Sequence, residues 1–197
     1  MRTIFFNIAW MKYYQGNKAN DRPKNGGKYI ADENDDAEVH NFKPKYTDNG
    51  MRCFGYGATI WRKTMQSHSQ LHIENLDGCS LMKNADYVDD VLVVWCSTYE
   101  PKKYRVVGWY KNATLYRYHQ NNKNGYYISC ADVGDCVLLP ENVRLQNEWA
   151  IPRAKEDGYG FGQANMWYPT KYPEAIDWLE NLSASISNYT GDNWINL

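Results

Sequence analysis

One apolar run limits the possible folds more than any other feature of the chain. It is VLVVWCS, residues 91–97, within the segment VDDVLVVWCSTY. Its valines and its tryptophan favour a strand over a helix, and its length suits a strand buried on both faces. The run is far shorter than the roughly 20 residues of a membrane-spanning helix. It therefore predicts a central strand, and no membrane partner is expected.

Short strand-like segments separated by turn signals surround this run. Residues 2–9 form the first segment, and Asn49-Gly50 is typical of a two-residue hairpin turn. YRVVGWY and ATLYRYH are predicted to form a further hairpin around Lys111-Asn112. Many short strands at this spacing predict an α+β fold, with mostly antiparallel strands forming a closed or nearly closed β-barrel.

Two helices are expected beside the strands. The longer begins at Pro173, because apolar residues then recur at helical spacing, and the shorter is GGKYIADEND after Asn25. No linker divides the chain. Residues 1–190 are therefore predicted to be one domain, followed by a C-terminal tail at 191–197, for which a frayed end is preferred over a docking tail.

Cysteine usage and the N-terminus bear on the cellular compartment. The five cysteines form no CxxC pair, and the first residues lack the pattern of a secretory signal. Reduced, mostly buried thiols in a cytoplasmic protein are the expectation.

The formal net charge of −1 conceals an uneven distribution. Residues 1–63 carry 11 basic and 7 acidic side chains, and residues 101–123 carry six basic and no acidic ones. Residues 174–197 carry four acidic side chains and no basic ones. A basic face of this kind is able to bind a polyanion.

Catalytic and metal motifs are weak. Asp90 followed by Glu100-Pro101-Lys102 matches the bare spacing of a metal-dependent nuclease, but the proline disfavours the required strand. His68, His72 and Cys79 lack a fourth zinc ligand. The sequence therefore predicts no catalytic residues, no metal and no cofactor.

Aromatic segments rich in glycine and amide side chains are more informative. Four of the eight tryptophans and seven of the 17 tyrosines lie in four such segments, namely NIAWMKYY, FGYGATIW, VVGWYKNATLYR and GYGFGQANMWYP. Aromatic rings stack on nucleobases, amides bind base edges, and lysine and arginine bind phosphates. The alternative is that these rings form the hydrophobic core.

A resemblance rests on ordered segments along most of the chain: WMKYYQG, GGKYI, VLVVWCST, VVGWYKNATLYR, DCVLLPENVR, IPRA and GFGQANMWY. They resemble a bacterial domain family that occurs alone or fused to HNH-type nucleases. That setting is similar to the setting of PUA-like readers of the SRA, EVE, ASCH and YTH type. The resemblance implies a PUA-like barrel that flips a modified DNA base into an aromatic pocket within a restriction or phage-defence system. It also implies that any nuclease is a separate chain.

Candidate residues follow from these segments. The predicted base-pocket residues are Asn7, Trp10, Tyr13, Trp109, Asn112, Gln163, Asn165 and Trp167. The predicted phosphate-binding residues are Lys12, Gly26, Gly27, Lys28, Lys111, Arg117 and Arg153.

Two other functions remain open at this stage. One is a small metal-dependent nuclease or base hydrolase. The other is a nucleotide-sensing or protein-interaction accessory subunit. Modified duplex DNA is the first-choice partner.

Overall fold

A computed structural model describes residues 1–25, 37–59, 61–62, 67–123 and 125–196. Within these ranges the chain forms the following strands: β1 (Thr3–Ile8), β2 (Lys45–Thr47), β3 (Gly50–Gly55), β4 (Trp61–Arg62), β5 (Ser67–His68), β6 (Tyr87–Glu100), β7 (Lys103–Asn122), β8 (Gly125–Asp132), β9 (Cys136–Leu138), β10 (Ala150–Ile151) and β11 (Met166–Trp167). The α-helices are α1 (Glu141–Arg144), α2 (Ala154–Asp157) and α3 (Ile176–Asn188).

Nine of these strands form one mixed sheet. Its order is β11-β1-β6-β7-β8-β3-β2, and β9 and β10 pair with β7. Strands β1 and β6 run parallel, with Ile8 opposite Ser97, while the other pairs in the sheet are antiparallel. The α+β class is confirmed, and the sheet is open, since β11 and β2 do not pair within the described residues.

The sheet is strongly curved. A Cβ atom added to Gly55 on β3 would lie 2.2 Å from the Trp95 ring on β6, although two strands lie between them in the sheet. Neighbouring strands are about 4.8 Å apart, so a flat sheet would place β3 and β6 about 14 Å apart. Trp95 therefore reaches β3 across the concave side, and only a residue without a side chain fits opposite it.

Alternating residues of the central strands build two cores. Phe6 and Trp95 point into the concave core, whereas Phe5 and Val94 point to the other face. There α3 covers the sheet with Leu182 and Ile186. This alternation explains why the run is apolar at every position from 91 to 96.

Several local expectations are confirmed. The central strand, the strand at residues 2–9 and the Asn49-Gly50 hairpin are present. Helix α3 follows a 3-10 turn that starts at Pro173. All five cysteines are free and buried.

Other local expectations were wrong. YRVVGWY and ATLYRYH are not two strands of a hairpin but one strand, β7, with a bulge at Lys111-Asn112. Asn112 adopts a φ of 48° at that bulge, so the chain continues instead of turning back. The end of the chain is not frayed over residues 193–195, because Asn193 binds backbone groups of β9 and Ile195 is buried. The helix predicted within GGKYIADEND falls largely on residues 26–36, outside the described residues.

Candidate functional site

The candidate site lies at the carboxyl ends of the two parallel strands. β1 ends at Ile8 and continues into residues 9–14, here called the 9–14 loop, while β6 ends at Glu100. In a parallel pair both carboxyl ends reach the same edge, where ligands of α/β sheets commonly bind. Trp10 from the loop and Tyr99 from β6 meet there, with ring centroids 5.0 Å apart.

Hydrogen bonds fix the backbone of the 9–14 loop. The N–H of Lys12 donates to Asp21 Oδ1 at 2.6 Å, and the N–H of Tyr13 donates to Asp21 Oδ2 at 2.8 Å. Trp10 exchanges two backbone hydrogen bonds with Lys24, at 2.8 and 2.9 Å. Both oxygens of the Asp21 carboxylate therefore hold the loop, and the side chain is buried.

Arg144 supports the same loop from below. Its Nη1 donates to the Met11 carbonyl at 2.6 Å, its Nη2 to the Lys12 carbonyl at 2.7 Å, and its Nε to the Leu139 carbonyl at 2.8 Å. The guanidinium carbon also lies 5.3 Å from the centroid of the Trp10 ring, a cation–π contact. Burial lowers the pKa of Arg144, yet an arginine side chain stays protonated in proteins.

Tyr14 closes the loop in a strained conformation. Its φ of 51° is uncommon for an aromatic residue and is kept only where the surroundings enforce it. The hydroxyl donates to the Ala9 carbonyl at 2.7 Å and accepts from the Met11 N–H at 3.2 Å. Burial raises the pKa of this hydroxyl, so it remains protonated and keeps both bonds.

Four aromatic residues of graded exposure, called the edge aromatic cluster, surround this rigid loop: Trp10, Tyr13, Tyr99 and Trp194. Trp10 is only 6% exposed, whereas Tyr99 is 40% exposed and Tyr13 and Trp194 are half-buried. Lys12 Nζ lies 4.9 Å from the Tyr13 ring and 5.4 Å from the Trp194 ring. Ring surface and a cation therefore lie together at Tyr13 and Trp194.

The segment that carries Trp10 and Tyr13 of the edge aromatic cluster is basic. Residues 10–25 contain Lys12, Lys18, Arg22 and Lys24, and Asp21 is their only acidic residue. A hydrogen bond with Tyr13 and nearby negative charges raise the pKa of Lys12, so its ammonium group is charged at neutral pH. Since the Asp21 carboxylate is consumed by the backbone, the outward charge of the segment comes from its cations.

Five of the predicted site residues lie at this edge: Asn7, Trp10, Lys12, Tyr13 and Asn165. The N–H of Asn7 donates to the Asn165 carbonyl at 2.8 Å, which joins β1 to the exposed segment that carries Gln163. Asn7 Oδ1 is buried and accepts no hydrogen bond within the described part of the chain.

Trp109 and Trp167 lie elsewhere, in the core beneath α3. They belong to what we call the core aromatic cluster, which consists of Phe5, Trp109, Trp149, Phe161 and Trp167. Trp109 is fully buried, stacks on Trp149 at 5.4 Å and meets Tyr189 edge-on. Close packing on its neighbours leaves no open ring face, which differs from the predicted role of Trp109 as a pocket wall.

The remaining predicted phosphate contacts are not gathered at this edge. Arg117 is buried and donates to the carbonyls of Leu71, Met82 and Ala85 and to Glu74, so its guanidinium is occupied inside the protein. Arg153 pairs with Glu156. The predicted residues Gly26, Gly27 and Lys28 lie outside the described residues.

Lys111 and Asn112 lie at the bulge of β7. Asn112 Nδ2 donates to Asp135 Oδ1 at 3.1 Å, so this predicted reader of a base edge is engaged within the surface of the protein. Lys111 is half-buried beside it.

The geometry does not favour the nuclease and zinc patterns. Glu100 pairs with Lys103 at 2.7 Å across the exposed turn between β6 and β7. His72 binds Glu74, whereas Cys79 is buried in the concave core. Within the described residues, no group of three His, Cys, Asp or Glu side chains is placed to hold a metal ion.

Sequence reasoning missed Tyr99, Trp194, Asp21 and Arg144. Tyr99 carried a usable signal, because it lies at the carboxyl end of the central strand, the end where ligands of α/β sheets commonly bind. Arg144 and Trp194 reach the loop from distant positions, whereas Asp21 is near in sequence but has no local pattern that marks its role.

Comparison of the chain with family models, curated proteins and solved structures finds no match. Among the described helices, none has the length and apolar character needed to span a membrane.

Proposed function

We propose that this protein binds nucleic acid at the edge aromatic cluster, with a nucleobase against Tyr99 and Tyr13 and the phosphate backbone near Lys12 and its basic neighbours. The observation that carries the proposal is the rigid 9–14 loop. Each backbone N–H from Ala9 to Tyr13 already has a partner, so the rings and the cation are held in place before a ligand arrives. Preorganisation of this kind reduces the entropic cost of binding.

The finer proposal is recognition of a modified base flipped out of duplex DNA. It is supported by the resemblance to PUA-like readers and by the strong curvature of the sheet, which is in keeping with a PUA-like barrel. Flipping costs a few kcal/mol, and stacking on aromatic rings returns about 1–3 kcal/mol per base. Such a reader would act within a restriction or phage-defence system.

The test is a fluorescence-anisotropy titration at two salt concentrations. The duplexes differ in one base only: unmodified, 5-methylcytosine, 5-hydroxymethylcytosine or N6-methyladenine. We expect one modified duplex to bind about tenfold tighter or better, with binding weakened by salt as phosphate contacts require. A lane with Mg²⁺ or Mn²⁺ reports cleavage, and a mononucleotide competitor reports small-ligand binding.

Variants locate the binding surface. Tyr99→Ala and Tyr13→Ala each remove a ring of the edge aromatic cluster, so we expect affinity to fall at least fivefold. Tyr126→Ala is the matched control, because Tyr126 is a 52% exposed tyrosine on β8. Binding by both edge variants at wild-type affinity, or no binding of any duplex at low salt, would overturn the proposal.

A further inference from the structure

Helix α1 directs two side chains towards the 9–14 loop from a single turn. Glu141 and Arg144 are three residues apart, a spacing that places both on one helical face. Arg144 binds loop carbonyls from inside the protein, whereas Glu141 is half-buried and lies closer to solvent. The single turn therefore supplies a supporting cation and a carboxylate near the surface.

The Glu141 carboxylate lies at the edge of the Trp10 indole. Its Oε1 accepts a hydrogen bond from Trp10 Nε1 at 3.3 Å. Its Oε2 accepts no hydrogen bond from the residues that the structure describes. Tyr99 contacts the same indole ring at a centroid distance of 5.0 Å, so Trp10 joins this carboxylate to the tyrosine on which a base would stack.

The surrounding charges determine what the carboxylate can accept. A carboxylate beside aromatic rings could suit an organic cation, but Lys12 and Arg144 are close enough to Glu141 to interact with its charge. These cations disfavour a further positive charge and favour a neutral hydrogen-bond donor. An exocyclic amino group of a base is such a donor, and carboxylates commonly accept from the amino group of cytosine.

We propose that Glu141 is a specificity-determining residue that selects bases carrying an exocyclic amino group, and that it discriminates against thymine. This inference rests on the proposed function. Thymine presents carbonyl oxygens at the corresponding positions, and these repel a carboxylate. The half-buried position of Glu141 strengthens this discrimination, because water does not fully screen the contact.

Short single-stranded oligomers of deoxycytidine, deoxyadenosine and thymidine provide the test, since their bases are already unstacked. We expect the wild-type protein to bind the deoxycytidine or deoxyadenosine oligomer at least fivefold tighter than the thymidine oligomer. In Glu141→Gln an amide oxygen still accepts from Trp10, while an amide N–H₂ can face the base. The preference should therefore fall to about one or reverse.

The measured quantity is the ratio of affinities, because losing a carboxylate strengthens binding to every polyanion. Glu148→Gln is the matched control, since it removes an exposed carboxylate elsewhere and should leave the ratio unchanged. Glu141→Asp keeps the charge and should keep the sign of the preference if Glu141→Gln does not fold.

A wild-type protein without preference, or a Glu141→Gln protein with the wild-type ratio, would overturn this inference while leaving the proposed function intact. Wild-type affinity of both Tyr13→Ala and Tyr99→Ala for all three oligomers would instead overturn the proposed function, and this inference with it.

Discussion

The core aromatic cluster and the edge aromatic cluster both contain tryptophan, completed by phenylalanine in the core and by tyrosine at the edge, and they differ in how their polar atoms are used. In the core, the indole nitrogens of Trp109, Trp149 and Trp167 are buried without a hydrogen-bond partner among the described residues. At the edge, Trp10 donates to Glu141, and each backbone N–H from Ala9 to Tyr13 has a partner. The core cluster is thus arranged for close packing, and the edge cluster for holding half-exposed rings at fixed positions.

The most disruptive test of this comparison removes the guanidinium beneath the edge aromatic cluster. Arg144→Met leaves the carbonyls of Met11, Lys12 and Leu139 without their donor, and each unpaired buried acceptor costs about 1–3 kcal/mol. We expect the free energy of unfolding to fall by about 3–6 kcal/mol in urea denaturation. Arg22→Met, at an exposed position, is the control. A loss below about 1 kcal/mol for Arg144→Met would contradict a supporting role.

A paired substitution compares the two clusters directly. Trp109→Ala empties a fully buried site and should cost about 3–5 kcal/mol of stability. Tyr13→Ala changes a half-exposed ring and should cost less than about 1 kcal/mol while reducing nucleic-acid affinity. Urea denaturation and anisotropy on both variants check the pair. Equal stability losses would contradict the difference between a closely packed core cluster and a half-exposed edge cluster.

Substitutions at Gly160 and Gly162 test whether the backbone between α2 and β11, which leads to Trp167, is sterically constrained. Gly160 has a φ of 106°, and a Cβ there would lie 2.0 Å from the Pro152 carbonyl oxygen. Gly160→Ala should therefore lower stability by about 1–3 kcal/mol, as expected for backbone strain. Gly162→Ala is the control, because its Cβ would meet only Ala154 at 3.8 Å. Thermal melts compare the stability of the two variants, and equal melting temperatures would contradict the steric argument.

The smallest effect concerns pH and leaves both aromatic clusters untouched. Burial disfavours ionisation of Glu74, but its hydrogen bonds, among them those from His72 and Arg117, outweigh burial and lower its pKa to about 2. A carboxyl with a lowered pKa stabilises the fold above its unfolded pKa of about 4.3, and this contribution is lost as the pH falls towards 2.

Glu74→Gln should therefore reduce the melting temperature at pH 7, and the difference from the wild-type protein should shrink by pH 2.5. Glu180→Gln, an exposed position on α3, serves as the reference. A difference that stays constant with pH would contradict the role of the ionised carboxylate.

The strands were largely predictable because their signals are local. The run at 91–97 and the Asn49-Gly50 turn each act over a few residues, and both were placed correctly. The bulge at Lys111-Asn112 was misread because the same dipeptide suits a hairpin turn and a positive-φ bulge. Only pairing with β6 decides between these two conformations.

The site was only partly predictable, because its supports act on backbone groups and one of them, Arg144, lies more than 130 residues away in the sequence. The segment 10–14 was correctly identified as aromatic and basic. Asp21 and Arg144 act through backbone groups of that segment, a role that gives them no distinctive local pattern. Trp10 and Trp109 cannot be told apart by residue type, since only their burial against other elements separates a ring at the edge from a ring in the core.

The parallel pairing of β1 also has a consequence for how the chain folds. Phe5 pairs with Val94 on one side and with Trp167 on the other, so both partners of β1 lie far along the chain. Such non-local pairing closes long loops before it is stabilised, and proteins rich in it fold slowly. Until β6 and β11 arrive, β1 is an apolar edge open to wrong pairing, so refolding yield should fall with rising protein concentration.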